Sequence, residues 1–148
     1  HGVIHSYMKT PASIAGHPIH PMLVAIPIGV WIFSLACDLF HLSGGAGTWK
    51  VVALYTLARG LLGAVAAAVP GFIDMLSLGE PVKRIALIHM GINLTVVALY
   101  AVNFWLRSQG ASNATGVWLS AAGLGLLVVS GWLGGKMVFE HGVGVGRT

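Results

Sequence analysis

Histidine and aspartate side chains stand at the ends of the long apolar segments of this chain, and they are the residues best suited to chemistry. The stretch GHPIHPML contains His17 and His20 directly before the first apolar segment. Asp74 follows the second segment, His89 lies about one turn into the third, and His141 closes the fourth. Imidazole is the commonest metal ligand in proteins and suits iron, copper and zinc. These five residues are therefore candidate metal ligands.

Two prolines restrict the backbone around the first two histidines. Pro18 and Pro21 fix φ near about −65° and bias the residue before each of them toward extended conformations. Proline also suits the first position of a helix. We therefore expect a stiff arm that holds the rings of His17 and His20 off the helix, with Pro21 as the first helical residue.

The elements that position these residues follow from composition. Of the 148 residues, 56% are hydrophobic and 8% are charged, whereas soluble domains carry about 25% charged residues. The apolar residues form four blocks, each close to the ~20 residues that span a bilayer as a helix: residues 22–42, 51–72, 85–106 and 117–139. We predict an all-α integral membrane protein with four transmembrane helices in a single domain, residues 1–148.

The connections between the blocks are short and rich in turn residues, so neighbouring helices are expected to be antiparallel. They comprise residues 43–50, 79–83 and 108–116. Four spans place both termini on one side of the membrane, here named side A, and the opposite face is side B. This topology brings all five candidate ligands to one membrane depth at side A. No internal repeat is evident in the sequence.

The cations indicate orientation rather than a nucleic-acid partner, because they form no basic patch interleaved with aromatic residues. Side B has two, Lys50 and Arg107, and Arg59 lies within the second span. By the positive-inside tendency, we expect side A, with both termini, to face the cytoplasm. The side A cations are Lys9, Lys83, Arg84, Lys136 and Arg147.

Polar side chains inside the spans require partners, because an ionisable group within the bilayer is costly and normally faces protein or water. On the first span Asp38 lies about one turn from side B, and Arg59 can extend toward the same face. We therefore predict an ion pair between Asp38 and Arg59. The third span carries one polar stripe that should face the bundle interior, formed by His89, Asn93, Tyr100, Asn103 and Arg107.

Five motifs occur in order along almost the whole chain: GHPIHPMLVAIPIGVW at 16–31, CDLF at 37–40, VPGFID at 69–74, HMGINL at 89–94 and GGKMVFEHGVGV at 134–145. As a set they resemble the bacterial membrane family catalogued as domain of unknown function 2231. The resemblance implies four helices and, through relatives fused to a Rieske-type iron–sulfur domain, a link to electron transfer. It implies no established reaction. By the same resemblance the signature positions are His17, His20, Asp74, His89 and His141.

The first hypothesis is a redox protein that binds b-type haem through two neutral imidazoles from different helices. His89 is the leading ligand, with His20 or His141 as its partner. His17 and the remaining histidine would hold a second haem or contact the propionates. Asn93, one turn from His89, would orient bound ligands. The single cysteine, in the first span, excludes a cysteine-ligated iron–sulfur cluster within this chain.

Two other hypotheses remain open. In one, His17, His20, His89, His141 and Asp74 bind iron, copper or zinc directly, and the site takes quinone or oxygen. In the other, the chain is a structural subunit of a larger membrane complex, and the histidines cap helix ends. The expected partners are the lipid bilayer, a redox partner or parent complex, and quinone. Enzymatic activity is left open.

Overall fold

The four predicted helices are present in the computed structural model, which describes residues 10–145. Each is long and apolar enough to cross a membrane, so the chain is an all-α, multi-pass membrane protein in a bilayer environment. Lys9 and Arg147 lie outside the described residues. The elements are β1 (Ser13–Ile14), β2 (His17–Pro18), α1 (Ile19–Leu42), α2 (Thr48–Leu76), α3 (Val82–Ser108) and α4 (Asn113–Phe139).

The helices form a four-helix bundle made of two closely packed pairs. We name α1 with α2 hairpin 1, and α3 with α4 hairpin 2. The hairpins adjoin each other less extensively, through α2 against α3 and α1 against α4. Helices α1 and α3 are therefore at opposite corners and face each other across the bundle axis. Large apolar side chains on the outer surface are exposed toward lipid, as Trp118, Trp132 and Phe139 illustrate.

Side chains from α1 and α3 meet on this axis at three levels. Toward side A two imidazole rings face each other, in the middle two aromatic rings stack, and toward side B a carboxylate meets a guanidinium. We call these the histidine layer, the aromatic layer and the charged layer. They consist respectively of His20 with His89, Trp31 with Tyr100, and Asp38 with Arg107.

The charged layer corrects the predicted ion pair. Arg107, not Arg59, binds Asp38, and two of its nitrogens each donate to one carboxylate oxygen at 2.8 Å. Both partners face the axis, where a buried charge needs a bidentate partner to offset its desolvation. Arg59 instead faces outward on α2, with its guanidinium carbon 5.8 Å from the centroid of the Tyr55 ring.

The segment before α1 also differs from expectation. Strands β1 and β2 pair as a small antiparallel hairpin, and α1 begins at Ile19 rather than at Pro21. The Ile19 N–H donates to the Ala12 carbonyl at 3.0 Å. Because the first four N–H groups of a helix have no partner within it, Pro21 costs the first turn no hydrogen bond. His20 is therefore helical, and only His17 stays on the extended arm.

Candidate functional site

His20 lies half-buried between α1 and α2. Its Nδ1 is 2.7 Å from the carbonyl oxygen of Ala67. Because a carbonyl only accepts hydrogen bonds, Nδ1 carries the hydrogen, and the neutral ring then has its lone pair on Nε2. Hydrogen bonding of one ring nitrogen to a carbonyl is the usual support of a metal-bound histidine.

A glycine gives His20 access to that carbonyl. In a helix the carbonyl of residue 67 already accepts from the N–H of residue 71, so the ring uses its second lone pair. A Cβ at Gly71 would come within 2.6 Å of His20 Nδ1. The missing side chain therefore exposes the Ala67 carbonyl to the imidazole.

His89 is held in the same way between α3 and α4. Its Nδ1 is 2.9 Å from the carbonyl oxygen of Ser130 and 3.0 Å from the hydroxyl of the same residue. Nδ1 is again the donor toward the carbonyl, and Nε2 keeps the lone pair. Gly134 follows Ser130 by one turn, and a Cβ there would be 3.4 Å from His89 Cε1.

The two rings face each other across the axis. Their centroids are 6.2 Å apart and their planes are perpendicular, at 88°. Two imidazoles that share one metal through nitrogen bonds of about 2 Å have centroids about 6 Å apart. A metal imposes no fixed angle between the planes of two imidazoles that bind it, so perpendicular planes are compatible with such sharing. The spacing therefore fits a pair of ligands on opposite sides of one metal.

Asn93 helps to hold His89 in place through hydrogen bonds on α3 and α4. Its amide nitrogen donates to the His89 carbonyl at 2.9 Å and to the Ser130 hydroxyl at 2.7 Å. Ser130 is 1% exposed, so its position is fixed by packing as well. Asn93 thus acts on His89 through Ser130.

Asp74 is buried and binds backbone. Its Oδ1 accepts from the Ala12 N–H at 2.8 Å, across 62 residues of sequence. The carboxylate therefore ties the segment that precedes α1 to the end of α2.

The remaining two predicted ligands lie apart from the histidine layer. His17 is exposed on β2, with Nδ1 3.0 Å from the carbonyl oxygen of Ala15, and His141 is half-buried just after α4. Across residues 10–145, no three His, Cys, Asp or Glu side chains form a group that could hold a metal ion. The structure thus brings two of the five predicted ligands, His20 and His89, into a pair.

Sequence reasoning missed the partners that hold the two rings. These partners are the backbone carbonyls of Ala67 and Ser130, and no residue type in the sequence identifies them as hydrogen-bond acceptors for a ring. The glycines one turn later do carry a signal, because Gly71 and Gly134 each follow a small residue at a spacing of four. That pattern predicts close helix contacts, and here the contacts are made by imidazole rings.

Comparison with known proteins gives a match to a protein family. A sequence model of a family described as "Predicted membrane protein (DUF2231)" matches residues 16–147. The matched range contains β2, all four helices and the five predicted ligands. No curated protein and no solved structure matches the chain significantly.

Proposed function

The chain belongs to the DUF2231 family of predicted membrane proteins, and we propose that it is a membrane redox protein that binds a b-type haem through His20 and His89. One observation carries the proposal. Both Nδ1 atoms point at helix carbonyls, 2.7 Å away for His20 and 2.9 Å for His89. Both Nε2 lone pairs are thereby left free for a ligand.

The number of donors favours haem over a bare ion. Structural zinc sites use four protein ligands and catalytic ones use three, whereas the residues described here offer two imidazoles and no larger group. Haem iron receives four nitrogens from the porphyrin and needs only two axial protein ligands, as in b-type cytochromes. The donor set therefore suits haem.

The boundary between the two hairpins is where a cofactor held by both histidines would lie. The two hairpins adjoin less extensively than the helices within each hairpin, and His20 and His89 approach the boundary between them from opposite sides. The aromatic layer lies eleven residues further along both helices, about 16 Å away at the helical rise. Trp31 and Tyr100 therefore lie away from the level of the two imidazoles.

When bound, haem supplies reversible one-electron transfer. The chain's own residues bind and orient it. The carbonyls of Ala67 and Ser130 fix the ring orientations and raise the basicity of the ligating nitrogens. At side A, Lys83, Arg84 and Lys136 are candidate partners for the propionates, and so are His17 and His141.

The proposed setting is the bacterial inner membrane with side A toward the cytoplasm. Lys83 and Arg84 flank the connection between α2 and α3 and support this orientation through the positive-inside tendency. The electron would pass to or from a redox partner, a quinone or a larger membrane complex that docks near side A.

A second candidate is a single non-haem ion held by the same two histidines. The 6.2 Å separation of the two ring centroids supports it, because imidazole suits iron, copper and zinc. Water, oxygen or quinone would complete the coordination.

The optical spectrum of the purified full-length protein, recorded together with its metal content, tests the proposal. We expect a Soret band and one haem per chain. His20→Ala and His89→Ala should each reduce bound haem by at least about tenfold, since even outer-shell changes cost about 10–100-fold. His41→Ala serves as the matched control, because His41 lies in the last turn of α1 toward side B, away from the histidine layer.

The outcomes separate the hypotheses. Stoichiometric iron, copper or zinc without a Soret band would support the non-haem ion and contradict haem binding. If the protein binds neither haem nor stoichiometric metal, the hypothesis of a structural subunit remains. Full haem retention in either His20→Ala or His89→Ala would remove the assigned ligand pair. Circular dichroism of each variant confirms that the helices are intact.

A further inference from the structure

The contacts that α1 makes on α2 recur between α3 and α4 at constant offsets. Each α3 residue lies 69 positions after its α1 counterpart, and each α4 residue lies 63 positions after its α2 counterpart. Three pairs of hydrogen bonds to helix carbonyls obey both offsets. The pairs are His20 to Ala67 and His89 to Ser130, Trp31 to Leu57 and Tyr100 to Ser120, and Ser34 to Ala53 and Asn103 to Gly116.

Glycines under the rings follow the same offsets. Gly71 adjoins His20 and Gly134 adjoins His89, while Gly60 adjoins Trp31 and Gly123 adjoins Tyr100. That list obeys the 63-residue offset throughout. Few other residues are identical at equivalent positions, which is why no internal repeat is evident in the sequence.

The charged layer repeats its surroundings too. Asn113 of α4 approaches Asp38 at 3.5 Å, and Arg107 approaches the carbonyl oxygen of Lys50, on α2, also at 3.5 Å. Positions 50 and 113 are equivalent under the 63-residue offset, as 38 and 107 are under the 69-residue offset. The contacts that hairpin 1 makes on hairpin 2 are thus equivalent to the contacts that hairpin 2 makes on hairpin 1.

We infer that the chain is a tandem repeat of one helical hairpin, and that the Asp38–Arg107 ion pair determines which hairpin pairs with which. Helices α1 and α3 run in the same direction, so the rotation that relates the hairpins is a pseudo-twofold about the bundle axis. A twofold interface is self-complementary, and equivalent residues meet each other on its axis. All three axial layers join such equivalents.

The charged layer is the one that distinguishes the hairpins. Histidine opposite histidine, or one aromatic ring opposite another, suits a pair of identical hairpins as well as a mixed pair. Two copies of hairpin 1 would bring Asp38 against Asp38, and two copies of hairpin 2 would bring Arg107 against Arg107. The side chains are 0% and 2% exposed, so solvent would not screen that repulsion. Each hairpin surface therefore fits only the opposite hairpin, from the same chain or from a second copy.

Charge reversal in the full-length protein tests this assignment. D38R and R107D should each lower the yield of monodisperse protein at least tenfold, because like charges then meet on the axis. The double variant D38R/R107D should restore the yield to within about twofold, since the Asn113 amide can turn to accept from arginine. E140K breaks an exposed ion pair with Lys136 and should leave the yield unchanged. Normal yields in both single variants, or no recovery in the double variant, would overturn the inference.

Co-expression of the two single variants with different tags tests the pairing between hairpins directly. The D38R chain carries arginine at both axial positions, and the R107D chain carries aspartate at both. Neither chain can pair its own hairpins, but hairpin 1 of each complements hairpin 2 of the other.

We expect a one-to-one complex that copurifies, whereas each variant alone is lost. Failure to copurify would overturn recognition between hairpins as separate units. This readout does not depend on any cofactor, so it fails or succeeds independently of haem binding.

Discussion

Each imidazole of the histidine layer is oriented by the neighbouring helix of its hairpin. His20 bonds to α2 and His89 to α4, in both cases at a carbonyl that a glycine one turn later leaves open. A helix carbonyl has a second lone pair, but the side chain at the next turn normally covers it. The two carbonyls set the tautomer of both rings, and the tautomer decides which nitrogen is left for a ligand.

The two glycines should nevertheless differ in tolerance. In Gly71→Ala the new Cβ would lie within 2.6 Å of His20 Nδ1, whereas in Gly134→Ala it would lie 3.4 Å from His89 Cε1. We expect Gly71→Ala to destabilise the protein by about 1–3 kcal/mol through overpacking. Gly134→Ala should be neutral or slightly stabilising, because alanine favours helix over glycine. Thermal unfolding in detergent measures both effects.

Gly131→Ala is the matched control, since nothing lies within 4 Å of the new Cβ. Equal stability of the Gly71→Ala and Gly131→Ala proteins would show that the His20 ring does not press on α2 as described.

At the scale of elements, the segment before α1 is fixed by a bond to the end of α2. Asp74 accepts from the Ala12 N–H, and Ala12 in turn accepts from the first N–H of α1. The short strands β1 and β2 between these bonds are too small to be stable alone. The position of His17 at side A therefore depends on Asp74.

Asp74→Ala should release this segment without opening the bundle. We expect faster amide hydrogen exchange at residues 12–18, by about 5–150-fold, because a buried N–H that loses its partner costs about 1–3 kcal/mol. Bound haem should be unchanged, since Asp74 does not contact His20 or His89. Hydrogen exchange by mass spectrometry and the optical spectrum provide the two measurements.

Ser77→Ala is the control for this prediction, because the Ser77 hydroxyl bonds to the Asp74 carbonyl and not to its carboxylate. It should leave exchange at residues 12–18 as in the parent. A loss of haem or metal in Asp74→Ala, with the helices intact, would instead support the hypothesis that Asp74 is a ligand.

At the scale of the whole molecule, three axial layers join two hairpins that otherwise adjoin only moderately. The charged layer lies toward side B and the histidine layer toward side A, with the stacked rings of Trp31 and Tyr100, 3.9 Å apart, between them. Both members of that stack are 1% exposed. The histidine layer is therefore separated from side B by a packed aromatic core, and a partner would reach it from side A.

Cysteine labelling in oriented vesicles checks which side is cytoplasmic. Cys37 is buried and is the only cysteine, so a Cys37→Ala parent accepts single cysteines at chosen loops. With a membrane-impermeant maleimide, we expect Gly79→Cys to be labelled in inverted vesicles and Gln109→Cys in right-side-out ones. The reason is that Lys83 and Arg84 adjoin residue 79 at side A.

The reversed labelling pattern would contradict the orientation, and labelling of both sites from one side would contradict the antiparallel arrangement. Unreacted Cys37 in the unsubstituted chain controls for background, because its thiol is buried.

The number of spans, their approximate limits and the candidates for chemistry could be predicted from the amino-acid sequence alone. Apolar blocks of bilayer length admit only helices in lipid, because every backbone polar group must be paired within the segment. Short connections made the helices antiparallel, and that was enough to place His20 and His89 at one depth. The five motifs were enough to indicate the family that the match over residues 16–147 then confirmed.

Which polar groups meet could be learned only from the packing of the helices. Asp38 was expected to pair with Arg59 and instead pairs with Arg107, because partner choice depends on which face each helix turns toward the axis. The same rotation selects His20 and His89 from five candidates. The tandem repeat was hidden for a related reason: equivalent positions share geometry and hydrogen-bond acceptors on the backbone, and one-dimensional comparison of side chains records neither.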